Sequence, residues 1–308
     1  MALQSFRHLE IVRALAQHRH FGRAAKALGV SQPSLTRSLK HLEDELGVRL
    51  FERHEGVQPT VFGRILIDRG EALLDGHSEL MREITLTRGL DVGELMIAAG
   101  PFPAEISAQK ALGTLAARHP GLLLQLSTID WTRVVTDVLD GRADLGLADI
   151  SEASQHPELE TEPVRASRLH FYCRAGHPLA SRPGVAIEDL MEFPWVGPTA
   201  PARMRMAMAQ NEKPFGFFCD VNERFRPRVV VDTVSAARDV VLASDGLAVT
   251  VPALIERELE DRLCVLLPIE LAWMRLNYGF VWKRGRTLSP AAATFMRLVR
   301  EIEAQISD

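Results

Sequence analysis

Residues 20–63 read HFGRAAKALGVSQPSLTRSLKHLEDELGVRLFERHEGVQPTVFG and constrain the fold more than any other stretch. Two short amphipathic patterns flank a tight turn, and a basic hairpin-like segment follows. The first pattern covers residues 21–28, with Ala24, Ala25 and Leu28 as small and apolar contacts. Gly29 ends it by adopting the left-handed conformation cheaply. Ser31 then reads as an N-cap, and Pro33 falls in the first turn, where a missing amide proton costs little. Residues up to 46 continue that helix, with Leu35, Leu39, Leu42 and Leu46 facing inward and Gly47 as its stop. A helix over residues 3–18 precedes both, with Phe6, Leu9, Val12, Leu15 and Ala16 as its apolar face and Ile11 on the flank. Residues 48–60 read as a wing. This is the layout of a winged helix-turn-helix, which lays its last helix in the DNA major groove.

The polar face of that helix carries Ser31, Gln32, Pro33, Ser34, Thr36, Arg37 and Lys40. These types suit base edges and phosphates: Arg chelates guanine, Gln pairs with adenine, and hydroxyls reach either. Arg49 and Arg53 on the wing are available to phosphates. The competing reading is a helical bundle with a solvated polar face. Turn, cap and wing together disfavour it.

The segment AAKALGVSQPSLTRSLKHLEDELGVRLFER, residues 24–53, resembles the DNA-binding head of the LysR-type transcriptional regulators. The resemblance implies a homodimer or homotetramer on double-stranded, interrupted palindromic DNA, with a small-molecule effector tuning transcription. RNA polymerase stands as a further candidate contact. Three residues depart from the family pattern. His20 stands where a Ser usually caps the second helix, which makes that cap weaker or pH-sensitive. Glu55 stands where the wing often carries a neutral or basic residue, and Pro59 replaces a usual Leu.

Thr60 caps a long helix expected over residues 61–88. Leu66, Leu73 and Leu80 recur at seven-residue spacing, with Ile84 offset by four, giving a short coiled-coil seam for dimerisation. Gly63, Gly70 and Gly76 weaken that helix, so packing has to supply its stability. RGLDVG then reads as a hinge. The expected division is residues 1–60 for the head, 61–91 for the linker helix and hinge, and 92–308 for the body.

In the body, short apolar strands alternate with helical patterns: LMIAA at 95–99, LLLQLS at 122–127, ADLGLAD at 143–149, then RLHFYCR, RVVVDT, GLAVTV, RLCVLL and LNYGFVWK. Helical stretches near 105–118 and 131–140 separate the first three. The alternation argues for α/β architecture with largely parallel sheets. GELMIAA, LDGRADLGLAD, GHPLASRPGVAIEDLMEFPWV and LASDGLAVTVP resemble, more loosely, the effector domain of the same family. The fold so implied is like a periplasmic binding protein, with subdomain I at 92–164 and 269–308 and subdomain II at 165–268.

Ligands in such sheets sit beyond the carboxyl ends of the strands. That rule selects Gly100, Pro101 and Phe102, then Thr128, Asp130 and Trp131, then Asp149 to Ser151. On the far wall it selects Pro198, Thr199 and Thr233. Phe102 and Trp131 also read as core, and the two aspartates as caps. Many of these regulators have Ser or Thr after the first strand to bind an effector carboxylate, whereas this chain has GPFP. Pro101 lacks an amide proton and Phe102 is apolar, so an aromatic or apolar effector is favoured over an anionic polar one. Arg203 and Arg205 remain as sources of positive charge.

The chain has 308 residues, 46% hydrophobic and 25% charged. Nine Lys/Arg against six Asp/Glu give residues 1–60 a net +3, which leaves −7 of the total −4 to the rest. A slightly basic head on an acidic body fits a DNA reader with a sensor. No apolar run approaches the ~20 residues of a membrane span. The opening segment reads as an amphipathic helix rather than a signal peptide, so the expected location is cytoplasmic with no membrane partner. Cys173, Cys219 and Cys264 are far apart without CxxC spacing, and no HExxH occurs, so neither a metal nor a cofactor is expected. No nucleophile elbow, phosphate loop or GxGxxG supports catalysis, and an enzyme is not expected. A cysteine-based redox sensor, and a solute-binding protein or enzyme on the same body, are the alternatives.

Overall fold

The computed structural model describes residues 6–52, 57–88, 93–199, 214–219, 224–271 and 274–306; side chains 75, 78, 79, 81–88, 152, 218, 219 and 224 lie outside the description. The chain forms two compact units, Met1–Thr87 and Arg88–Asp308.

The first unit runs α1 (Phe6–His18), α2 (Phe21–Ala27), α3 (Gln32–Leu46), β1 (Phe51–Glu52), β2 (Gln58–Pro59) and α4 (Val61–Arg88). Leu9, Val12 and Leu15 of α1 are buried as their spacing predicts, and Ile11 and Ala14 join them. Phe6 does not: it is 45% exposed, with its ring 4.2 Å from that of His77. The apolar stripe of α1 is therefore rotated toward Ile11. Leu35, Leu39 and Leu42 of α3 complete a core with Ala24, Ala25, Leu50 and Phe51. Gly29 and Gly47 take φ of 64° and 70° at the two helix ends, the left-handed conformation that a side chain resists.

The second unit opens with β3 (Gly93–Ala99), the three-residue α5 (Pro101–Pro103), a π-helical turn (Ala104–Ala108), α6 (Gln109–Arg118), β4 (Leu122–Thr128), α7 (Trp131–Leu139), β5 (Leu145–Asp149), α8 (Ile150–Ala153) and β6 (Leu159–Arg168). It continues with β7 (His170–Arg174), α9 (Ile187–Met191), β8 (Val196–Gly197), β9 (Gly216–Cys219), β10 (Arg224–Pro227), β11 (Val229–Val230), α10 (Val234–Ala243), β12 (Ala248–Thr250), α11 (Glu256–Glu260), β13 (Cys264–Leu266), β14 (Arg275–Lys283) and α12 (Pro290–Glu303). The main sheet has the order β4-β3-β5-β14-β6. Its one face packs on α6 and α12 through Leu115, Phe295 and Val299, and its other on α7 through Val134 and Val138. A second sheet, β12-β7-β13, and the parallel pair β8/β11 build the other subdomain.

The sheets are more antiparallel than the sequence suggests. β3 pairs in parallel with β4 and β5, but β14 is antiparallel to both β5 and β6, and β7 to both β12 and β13. Strands that return from the other subdomain enter the sheet from the opposite end, and antiparallel neighbours need no helical crossover. β6 was not expected at all before Arg168. Its segment LETEPVRASR is charged and contains Pro163, which an edge strand tolerates beside a bulge; the register with β14 shifts at Tyr278/Gly279, opposite that proline. β6 stays in the main sheet through Arg168, beyond the expected subdomain boundary at residue 164. The chain passes to β7 at Leu169, whose amide donates to the Met274 carbonyl at 3.0 Å.

Candidate nucleic-acid interface and ligand cleft

Ser31 caps α3, its hydroxyl accepting from the Ser34 amide at 3.3 Å, with Pro33 in the first turn. Because the leucines point inward, Ser31, Gln32, Pro33, Ser34, Arg37 and Lys40 are all exposed and Thr36 is half-buried. The expected reading face is thus one continuous solvent-facing edge. Arg53 and Glu55 lie outside the described residues. β1 and β2 form the base of the wing, pairing Phe51 with Pro59 and Glu52 with Gln58. His20 does cap α2: its Nδ1 accepts from the Gly22 and Arg23 amides at 3.0 and 3.3 Å. That role requires Nδ1 to be unprotonated, a condition a Ser cap does not impose.

The helix α4 has two apolar faces. Leu66, Ile67 and Leu74 pack against the head. Leu66 is half-buried there, on the flank of the stripe that holds Leu73 and Leu80. Phe62, Ile65, Leu73 and Leu80 share a neighbouring stripe at helical spacing and are exposed, Leu73 and Leu80 each by 55%. The side chain of Ile84 lies outside the described residues, as does most of the expected hinge.

In the second unit a cavity of about 110 Å³ opens between the two subdomains. Gly100, Pro101, Phe102, Asp130, Trp131, Asp149 and Thr199 line it, brought together from the ends of β3, β4, β5 and β8. Thr128 and Thr233 do not line it. Thr233 is occupied as the N-cap of α10, accepting from the Ala236 amide at 3.1 Å; Thr128 ends β4 on the edge of the sheet. Arg203 and Arg205 lie outside the described residues.

Both aspartates are caps that also face the cavity. Asp130 Oδ1 accepts from the Thr132 amide and hydroxyl at 3.0 and 2.6 Å, and its Oδ2 accepts from the Thr199 hydroxyl at 3.0 Å. Asp149 Oδ1 accepts from the Ser151 amide at 2.9 Å. Two further hydrogen bonds join the subdomains at Glu105, whose Oε1 accepts from the Ser235 amide and hydroxyl at 3.0 and 3.1 Å.

Sequence reasoning missed the aromatic wall of the second subdomain. Phe171, Trp195 and Phe225 line the cavity and form one cluster, with Trp195 4.8 Å from Phe171 and 5.4 Å from Phe225 between ring centroids. They come from β7, β8's approach and β10, so no local spacing links them. The only signal in the sequence was the presence of aromatic residues in HFYCR, FPWV and RFRP.

Cys173 and Cys264 are buried and unbridged. Burial pushes the Cys173 thiol up to about 12 and raises that of Cys264 as well. A redox sensor needs an accessible thiolate, so the redox reading is not favoured. The side chain of Cys219 lies outside the described residues. Among the described residues, no group of His, Cys, Asp and Glu is placed to hold a metal, and no helix is long and apolar enough to cross a membrane.

Residues 6–64 match the model of the bacterial regulatory helix-turn-helix protein, lysR family, and residues 88–303 match that of the LysR substrate binding domain. The chain belongs to the LysR family. It is a LysR-type, sequence-specific DNA-binding transcriptional regulator whose second unit is an effector-binding domain, and that family consists of regulators rather than enzymes. Over 98% of both chains it is 34% identical to the SDS degradation transcriptional activation protein of a Pseudomonas species. It is 29% identical to the RuBisCO operon transcriptional regulator of Allochromatium vinosum, over 96% of this LysR-family chain and 95% of that one. A full-length cysteine-to-aspartate variant of OxyR from Pseudomonas aeruginosa shares its fold at a TM-score of 0.60 and 18% identity, covering 100% of this chain and 97% of that one. CbnR in complex with its target DNA shares it at 0.52 and 22%, covering 97% and 100%.

Proposed function

We propose that this LysR-type regulator acts as a homodimer or homotetramer in the cytoplasm. The exposed edge of α3 reads an interrupted palindrome, and an aromatic or largely apolar effector bound in the cleft sets the output. No catalytic step is involved, and any contact with RNA polymerase follows DNA binding. The observation that carries the effector class is the make-up of the cleft. Pro101 has no amide proton, and Phe102, Trp131, Phe171, Trp195 and Phe225 supply aromatic surface around a few placed polar groups. Preformed pockets of this kind select by apolar contact and orient by a small number of hydrogen bonds. The Pseudomonas relative is named for activating SDS degradation, and a long alkyl chain is one form of apolar ligand that such a cleft suits.

Dimerisation through α4 rests on the exposed stripe of Phe62, Ile65, Leu73 and Leu80. A surface helix that exposes one apolar stripe while burying another is in keeping with a partner helix on the exposed side. Selecting fragments of genomic DNA on the full-length protein, then footprinting the winners, tests the reading. Protection of two half-sites related by a dyad is expected. Protection of a single unpaired site, or uniform binding to all fragments, overturns it.

A further inference from the structure

The joint between recognition helix, wing and linker helix is built around one residue, Leu50, and the two peptide groups that flank it. Glu43 reaches it from α3: its Oε1 accepts from the Leu50 amide at 2.7 Å and from the Phe51 amide at 3.3 Å. The main-chain carbonyl of the same residue accepts from the Gly47 and Val48 amides. One glutamate therefore organises the whole passage from helix to wing. From the other side, the Leu50 carbonyl accepts from the Thr60 amide at 2.9 Å. The Thr60 hydroxyl donates to the Arg49 carbonyl at 2.7 Å and accepts from the Gly63 amide at 3.1 Å, which caps α4. A Cβ at Gly63 would stand 2.1 Å from the Leu50 oxygen, so the first turn of α4 rests directly on that carbonyl.

None of these groups faces the edge of α3 that reads bases. What they fix is the direction in which α4 leaves the head. In a dimer held by α4, that direction sets the separation of the two recognition helices, and half-site spacing is the geometric consequence. We propose that Glu43 and Thr60 are positioning residues that determine the half-site spacing this regulator accepts. The inference rests on the reading of α4 as the dimer helix.

The test uses the full chain and a duplex selected by the wild type from a random pool, remade with its spacer changed by one and two base pairs. Wild type should prefer the selected spacing by about tenfold, the scale of one lost base contact. Glu43→Ala should bring that ratio to within about threefold, because α4 then takes a range of directions. Glu43→Gln keeps a carbonyl acceptor and should restore the preference. Gly63→Ala, which forces the helix off the Leu50 carbonyl, should move the optimum to a different spacer. If Glu43→Ala unfolds by circular dichroism, Thr60→Val carries the test, with Thr60→Ser as its rescue. A variant that weakens every spacing by one factor overturns the proposal. Sedimentation of the same samples separates the two readings: a wild-type monomer refutes the α4 dimer, whereas a dimer with an unaltered spacing ratio refutes the joint alone.

Discussion

Thr199 donates a hydrogen bond to Asp130 across the cleft, Oγ1 to Oδ2 at 3.0 Å. Asp130 caps α7 with its other oxygen, so the bond ties the second subdomain to the helix that carries Trp131. A bond to a charged acceptor contributes more than a neutral one. Both residues are half-buried, which reduces the gain. Thr199→Val should lower stability by about 1 kcal/mol in urea titration, and Thr199→Ser should not. Equal midpoints for wild type and Thr199→Val would show that the bond contributes nothing.

Arg37 projects from the exposed edge of α3, beyond the Ser31 cap. Replacing it with Ala should weaken operator binding by about 1–3 kcal/mol and relax discrimination at one base position. Competition titrations at matched salt, against duplexes mutated one base pair at a time, read both effects. Uniform weakening with specificity intact would make Arg37 a phosphate contact.

Leu73 and Leu66 share one stripe of α4 but differ in how far the head covers them. Leu73 is exposed and Leu66 packs on the head. In a dimer sealed by the outer face, Leu73→Asp places an unpaired charge in apolar surroundings. Ultracentrifugation should show monomers, and operator binding should collapse. Leu66→Ala should leave the dimer intact and cost the head about 2 kcal/mol or less, since the side chain is only partly buried. An unchanged oligomer for Leu73→Asp would refute the seam.

The seven-residue repeat was legible in the sequence, but how much of it the head covers was not. Leu66, Leu73 and Leu80 fit one stripe, yet the head partly covers the first of them, and only tertiary packing decides where along the stripe that cover ends. The head itself was legible because its signals are local: the Ser31 cap, Gly29 and Gly47 at the helix ends, and the leucines at helical spacing. The near wall of the cleft was legible for the same reason, since strand ends mark it. Phe171, Trp195 and Phe225 converge only through sheet pairing, and β6 was hidden by Pro163 and its charges, which an edge strand admits.

His177 is buried against Phe193, with Nδ1 accepting from the Leu179 amide at 3.0 Å and Nε2 lying 3.3 Å from the Asp245 carbonyl. Burial lowers its pKa, against a smaller opposing pull from Asp245. Protonation would also turn Nδ1 from acceptor into donor, facing the Leu179 N–H. The fold therefore favours the neutral ring. The contribution is fully present above the unfolded value of about 6.5 and is lost as pH falls through the lowered folded value. The difference in urea midpoint between wild type and His177→Gln should shrink on acidification from about pH 7 to pH 5. A constant difference across that window would refute the linkage.

The cleft decides what stabilises the second unit. Ligand binding raises stability in proportion to occupancy, by about 2.7 kcal/mol at a hundredfold excess over the dissociation constant. Thermal shift against matched aryl and alkyl alcohols, the corresponding monocarboxylates, and small dicarboxylates therefore ranks ligand classes directly. The apolar members should raise the melting temperature and the dicarboxylates should not. The cavity is bounded mainly by apolar groups such as Pro101, Phe102, Trp131 and Phe225, and among the described residues its Asp130 and Asp149 outnumber the one lining cation, Arg275, so desolvating two carboxylates there gains little in return. Phe102→Ser removes apolar contact and adds a hydroxyl beside the first strand, so it should reverse the order. Stabilisation of the wild type by dicarboxylates alone would refute the apolar cleft. An apolar response that Phe102→Ser leaves untouched would move the ligand to the Phe171–Trp195–Phe225 wall.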